Sequence, residues 1–276
     1  MIKDIGWKDG KWQQIDDIKL SIKDRGLRFG DAIFETILIK NKKPVFLDEH
    51  IQRLKNNLKI LKFNNIIIDD FLLQKIILDG INKLNIKKEE YGSIRINYSR
   101  GINTTRSIKV DKLDSKFNIS NLWIEFYLIN LNFNPITVHI SVEEKRNEHS
   151  LLSSCKTFNY MQSIQALIEA NQKNFDDSLL LNTNDELCCG TTFNILLKRD
   201  DKWLTPRKES GCMQGIMISK LLDLKLVEEA YLVPNFRKDD TLVAINSLSC
   251  RQIIKVNNLD LRSKFNPKNF WDILCN

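Results

Sequence analysis

Two short segments carry the residues most able to do chemistry. In Ser153-Ser-Cys-Lys-Thr-Phe-Asn-Tyr160, Lys156 is flanked by Leu151, Leu152, Phe158 and Met161. Apolar surroundings lower a lysine's pKa, and a lysine that is neutral part of the time can attack a carbonyl and hold it as a Schiff base. The spacing places Lys156 at the opening of a helix running to about Asn174, where a lysine is by default a solvated charge. Downstream, Glu186-Leu-Cys-Cys-Gly-Thr-Thr-Phe-Asn194 carries the vicinal cysteines Cys188 and Cys189. Such a pair could serve a redox or metal site, but adjacent cysteines are poorly placed for either and no histidine lies close in sequence.

Elements able to position these residues follow from pattern. Ile18 to Leu38 alternates and ends in a turn feeding a strand to Ile39. Asn41-Lys-Lys-Pro44 reads as a hairpin turn into Val45-Phe-Leu47, and Asp48 as the N-cap of a helix with Ile51, Leu54, Leu58 and Leu61 on its apolar face. A second helix, about Asp69 to Leu84, has Phe71, Leu72, Ile76, Ile77 and Leu84 for its buried side. Gly92 to Ser99 alternates as a strand, Gly101 to Asn121 is irregular, and Leu122 to Leu131 resumes β character. Further strands are expected at Ile136–Val142, Ser178–Leu181, Asn194–Lys198 and Thr241–Asn246, with a helix from Gly215 to Leu224. Strand-rich halves with a few packing helices predict an α+β protein of two domains, 1–120 and 121–276, dividing in the region 115–135. No tandem repeat or low-complexity linker is present.

The 276 residues suffice for one large core or two modest ones, and 42% hydrophobic with 28% charged residues is ordinary for a soluble globular protein. No apolar run approaches the ~20 residues that span a bilayer, and Met1-Ile-Lys-Asp-Ile-Gly lacks the apolar stretch of a signal peptide. Six irregularly spaced cysteines give neither a disulfide framework nor a paired zinc pattern, so a reducing, cytoplasmic setting is expected and no metal site. The net charge of +7 is dispersed among Asp, Glu, Asn and Ile. It reads as a solvated surface that favours anionic small molecules, not as a nucleic-acid patch.

An ordered set of motifs then resembles one family. Asp24-Arg-Gly-Leu-Arg-Phe-Gly-Asp-Ala-Ile-Phe-Glu-Thr36 is followed by Asp48-Glu-His-Ile-Gln-Arg-Leu54, Ser99-Arg-Gly101, Lys156-Thr-Phe-Asn-Tyr160 and Gly190-Thr-Thr-Phe-Asn194. Thr205-Pro-Arg207, Gly215-Ile-Met217 and Asn246-Ser-Leu248 complete the series. Over nearly the whole chain this resembles the class IV pyridoxal-phosphate aminotransferases, which include branched-chain and D-amino-acid aminotransferases and aminodeoxychorismate lyase. The resemblance implies a two-domain fold-type IV architecture, with a small N-terminal α/β domain and a larger, barrel-like C-terminal domain that binds pyridoxal 5′-phosphate. It also implies a homodimer and a small anionic amino substrate, with neither membrane nor nucleic acid as partner.

It assigns roles residue by residue. Lys156 would hold the cofactor and move the proton. Arg53 would bind the cofactor phosphate, with the amides of Ile216 and Met217 at a glycine-led helix start and with Asn246 and Ser247 at a strand end. Arg100, or alternatively Arg106, would reach the neighbouring subunit's site and hold a substrate carboxylate there; Phe34 would line the substrate site and Thr36 would orient a substrate oxygen. The residue before Gly190 is usually a glutamate bonded to the pyridine nitrogen, but here it is Cys189. Glu186, an odd offset away, would point to the opposite strand face unless a bulge re-aims it. A thiol supports a protonated ring poorly, which disfavours transamination more than an elimination driven by aromatisation. Met217 and the Asn246-Ser-Leu248 triplet are also of the lyase style. The expected activity is conversion of 4-amino-4-deoxychorismate to 4-aminobenzoate and pyruvate. An amino-acid aminotransferase, or a cofactor-binding homologue with little activity, is the alternative.

Overall fold

The computed structural model describes residues 4–63, 69–102, 105–110 and 120–275. They form two compact units. One comprises Met1–Asn130 together with Cys155–Asn159, and the other Leu131–Ser154 with Tyr160–Asn276. The boundary thus falls ten residues later than the expected 120/121, and the lysine segment belongs with the N-terminal unit.

In the first unit, β1 (Asp4–Lys8) and β2 (Lys11–Gln14) form a hairpin. A short helix α1 (Arg25–Phe29) leads into β3 (Ala32–Lys40) and β4 (Lys43–Pro44). Helices α2 (Leu47–Ile60) and α3 (Asp70–Leu84) then precede β5 (Tyr91–Ser99) and β6 (Asn121–Ile129). The strands make one six-stranded sheet in the order β2-β1-β6-β5-β3-β4. Alternation sorts its faces. Ile33, Ile37, Ile39, Ile94, Ile96, Ile124 and Phe126 turn to a core closed by Leu54 and Leu58 of α2 and by Ile77 and Ile81 of α3. The opposite face places Phe34 across from Asn97 and Thr36 across from Arg95. On the next strand Arg95 lies across from Glu125 and Asn97 across from Trp123.

Several local expectations change. Asp48 does not cap α2: Phe46 occupies the cap position in a left-handed conformation, and Asp48 sits in the first turn accepting from Gln74. The strand expected at Val45–Leu47 gives way to that cap. Asp69, in contrast, does cap α3, accepting from the Leu72 amide at 2.9 Å. Phe71 and Leu72 are exposed because Leu73, Gly80 and Ile81 occupy the buried face instead. Residues 103–104 and 111–119 of the expected irregular stretch lie outside the described residues.

The second unit contains β7 (Ile136–Arg146), α4 (Met161–Gln172), β8 (Asp177–Asn182), β9 (Leu187–Gly190), β10 (Asn194–Arg199) and β11 (Lys202–Pro206). It continues with α5 (Ile216–Asp223), β12 (Glu228–Ala230), β13 (Thr241–Asn246), β14 (Ser249–Val256), β15 (Leu259–Asp260) and α6 (Pro267–Cys275). A nine-stranded sheet runs β12-β11-β10-β13-β14-β7-β8-β9, with β15 on β14. Its core includes Val138, Leu179, Ile195, Leu242 and Ile253. Helix α4 is anchored through buried Glu169, which accepts from Ser141 Oγ at 2.6 Å on β7.

Candidate functional site

Lys156 does not open a helix. The helix begins at Met161, and the lysine lies in an extended segment docked on the edge of β3. Lys156 O accepts from the Phe34 amide at 3.0 Å, Phe158 N–H donates to Ala32 O at 2.9 Å, and Thr157 bridges Ile33. Asn159 fixes the end of the segment, donating through Nδ2 to Gly30 O at 3.2 Å. Gly30 sits at φ 68°, and a Cβ there would come within 2.6 Å of Asn159 Oδ1, so the motif glycine is required by both conformation and space.

The Lys156 ammonium lies 4.3 Å from the centroid of Phe34, and the Arg95 guanidinium carbon lies 3.8 Å from the same ring. Burial first, and then Arg53 and Arg95, lower the Lys156 pKa to about 8 against the attraction of Glu35. A substantial fraction is therefore neutral near physiological pH, as carbonyl attack requires.

Arg53 projects from α2 onto Glu35, a carboxylate in the core face of β3 with no exposed surface. The pair is bidentate: Nε to Oε1 and Nη2 to Oε2, both 2.7 Å. His50, one turn earlier, places Nδ1 2.8 Å from Glu35 Oε2. Burial alone would raise the Glu35 pKa, but Arg53 and His50 hold it well below the usual carboxylate range. Burial keeps His50 low as well. Arg53 is thus held by a fixed fork, with part of its charge answered by Glu35.

Arg100 has other duties. Its Nε donates to both oxygens of Asp31 at 2.9 and 3.1 Å, and Nη1 and Nη2 donate to the carbonyls of Lys62 and Leu61. The guanidinium also stacks 3.9 Å from Phe63. These contacts make it a brace between the start of β3 and the end of α2. Arg106 is exposed in an irregular stretch. The arginine that shares a ring with Lys156 is Arg95, which the sequence reading passed over as one polar position in an alternating strand. Arg95 Nε donates to Asn97 Oδ1 at 2.8 Å, and Asn97 Nδ2 donates to Glu125 Oε1 at 2.9 Å. Thr36, across from Arg95, is half-buried.

In the second unit, Cys188 and Cys189 are both buried with Cys212, Ala166 and Leu180. The register slips between Leu180 opposite Cys189 and Leu181 opposite Leu187, so Cys188 is the extra residue of a bulge. Glu186 is bonded to Asn182 Nδ2 at 2.8 Å and Ser210 Oγ at 3.1 Å, which orients it toward the loop before α5. The Cys188 thiol donates to Cys189, and the Arg146 guanidinium lies against the Cys189 sulfur. Together they draw Cys189 below the usual thiol range despite burial, while Cys188 is pushed up. The Cys188 thiol first, and then Arg146, which is held by Gln162 and Ser163, lower the cost of a negative charge on the Cys189 sulfur.

Ile216 and Met217 are buried in the first turn of α5, behind Gly215 as N-cap with no side-chain cap. The turn is approached tightly: Asn194 Oδ1 accepts from Gly215 N–H at 3.1 Å and Asn194 Nδ2 donates to Met213 O at 2.9 Å. Uncapped amides at a helix start suit an anion. Asn246 holds the turn between β13 and β14, accepting from the Leu248 amide at 2.8 Å and donating to Thr192 O at 3.2 Å, with Ser247 in the turn itself. Among the described residues, no group of three or more His, Cys, Asp or Glu side chains could hold a metal ion. No described helix is long and apolar enough to cross a membrane.

Residues 32–256 match the family model for amino-transferase class IV. The chain belongs to the class IV aminotransferase family. Its cofactor is pyridoxal 5′-phosphate, and the lysine of depressed pKa and the uncapped helix start fit that group. Among relatives, aminodeoxychorismate lyase of Vibrio harveyi is 27% identical over 236 residues, covering 84% of this chain and 83% of that protein. Branched-chain-amino-acid aminotransferase-like protein 2 of Arabidopsis thaliana is 24% identical over 225 residues and covers 79% of this chain, which spans only 38% of that protein. The branched-chain aminotransferase structure of Escherichia coli superposes with a TM-score of 0.84 at 20% identity, covering 98% of this chain and 92% of that one. The fold is thus the α+β, fold-type IV architecture. The protein is an enzyme of this family, and the two relatives' similar identities do not separate lyase from aminotransferase.

Proposed function

We propose that this protein is the lyase that converts 4-amino-4-deoxychorismate to 4-aminobenzoate and pyruvate. Cys189 carries the reading: it stands beside Arg146 where the family's carboxylate is expected. Even as a thiolate it is one sulfur already receiving Cys188 and Arg146, whereas a carboxylate offers two oxygens. A guanidinium alongside also opposes a proton on the ring nitrogen. When bound, pyridoxal 5′-phosphate supplies an aldehyde that Lys156 holds covalently and a ring that withdraws electrons from the substrate. Arg53 and the amides of Ile216 and Met217 would hold its phosphate. The Lys156 amine would take the proton of the activated C–H and deliver it to the departing enolpyruvyl oxygen, and the enol so released would tautomerise to pyruvate. Arg95, seated on Phe34 beside Lys156, takes the carboxylate role first given to Arg100, and Thr36 across from it would orient a substrate oxygen.

An amino-acid aminotransferase, the second reading, is favoured if the Cys189 thiolate does support a protonated ring. Substitution Cys189→Glu separates the two. The lyase reading expects elimination to fall and transamination of alanine or glutamate to rise; no change in either rate would count against it.

A further inference from the structure

The sheet face that carries Phe34 and Arg95 contains an acidic residue for which the reaction has no direct use. Glu125 lies across from Arg95 on β6. Its Oε1 accepts from Asn97 Nδ2 and Trp123 Nε1, both at 2.9 Å, and Oε2 accepts from Tyr127 OH at 2.5 Å. Burial and then this hydrogen bond raise the Tyr127 pKa, so the phenol remains a donor. Asn97, 1% exposed, thus stands between a carboxylate, which only accepts, and Arg95 Nε–H, which only donates. An amide can satisfy both neighbours in one orientation. Flipped, its NH2 would meet the guanidinium and its oxygen the carboxylate, and both bonds would be lost. Both ends therefore select the same orientation: Arg95 turns the Asn97 oxygen toward itself, and Glu125 holds the amide from the far side through its nitrogen.

We propose that Glu125 is a positioning residue for carboxylate recognition, fixing the Asn97 amide so that Oδ1 receives Arg95 Nε–H and the guanidinium is aimed from the Phe34 ring. This rests on the reading that Arg95 binds the substrate carboxylate. A residue that acted only by packing would be served equally by leucine, whereas glutamine keeps an oxygen that can accept from Asn97 Nδ2 and so should preserve a positioning role.

Titration calorimetry of the cofactor-loaded protein compares 4-aminobenzoate with its neutral analogue 4-aminobenzamide, and visible absorption and circular dichroism confirm folding. The wild type should prefer the acid by about 30-fold, as expected for a charge-assisted pair. Arg95→Met should bring the preference to about one, and Glu125→Leu, which removes the acceptor, to about three-fold, a loss of roughly tenfold. Glu125→Gln, which keeps an acceptor for Asn97, should hold the preference above about tenfold. A wild type with no preference would overturn both the Arg95 reading and the positioning role. If Arg95→Met removes the preference but Glu125→Leu keeps it, or if Glu125→Gln loses as much as Glu125→Leu, the positioning role alone falls.

Discussion

At the scale of the residue, Lys156 is set by its neighbours more than by its own sequence context. Burial, Arg53 and Arg95 bring its pKa to about 8. Uptake of pyridoxal 5′-phosphate by the cofactor-free protein should therefore accelerate as pH rises through about 8 and level off above it. Stopped-flow absorbance would show this, and a rate still climbing toward pH 10 would mean an ordinary lysine. Glu35 gives a second test. Its folded pKa is depressed by Arg53 and His50, so its stabilisation is complete above the unfolded value of about 4.3 and fades as pH falls below it. Substitution Glu35→Gln leaves Arg53 with no carboxylate and should cost about 3–5 kcal/mol at pH 7. In thermal melts, the gap to wild type should narrow as pH drops below about 4; a pH-independent gap would contradict the assignment. Lys156 and Arg53 were nameable as candidates because motif order marks them. Arg95 and Glu125 were not, because in an alternating strand a functional polar residue has the same signature as a solvated one. Arg100 misled for the opposite reason: its motif gave no sign that Asp31 and two carbonyls claim the guanidinium.

Elements place these residues by edges and turns, where sequence patterns are least informative. The Lys156 segment reads as helical because α4 follows at once. Its backbone instead pairs with β3, and the Asn159 amide donates to Thr157 Oγ1 at 3.2 Å. The β1–β2 hairpin went unread although its turn, Asp9-Gly10, has φ 51° and 78° and is a strong hairpin dipeptide. The bulge at Cys188 could not be foreseen, since one extra residue leaves no mark on composition. The α5 start was legible from Gly215, and it yields a prediction. A Cβ there would lie 2.3 Å from Asn194 Oδ1, which accepts the Gly215 amide. Gly215→Ala should displace the first turn, at a cost of about 1–3 kcal/mol. Cofactor affinity followed by fluorescence should fall several-fold; unchanged affinity would remove α5 from the phosphate role.

For the molecule as a whole, the α+β organisation was readable from strand-rich halves and a few helices, and the family from motifs spread over residues 24–248. The break after Asn130 lies within the expected region 115–135, whereas the second crossing was not readable. β6 continues the first sheet through Ile129, and a five-residue segment, Cys155–Asn159, returns Lys156 to the N-terminal unit from within the sequence of the other. Contiguous domains cannot express that. The choice of reaction turns on the whole protein acting on its own substrate. The most direct measurement incubates the cofactor-loaded enzyme with 4-amino-4-deoxychorismate and, separately, with amino-acid and keto-acid pairs, and quantifies products by liquid chromatography and mass spectrometry. Equimolar 4-aminobenzoate and pyruvate, with little amino transfer, is the predicted result. Rapid transamination with no 4-aminobenzoate would contradict it.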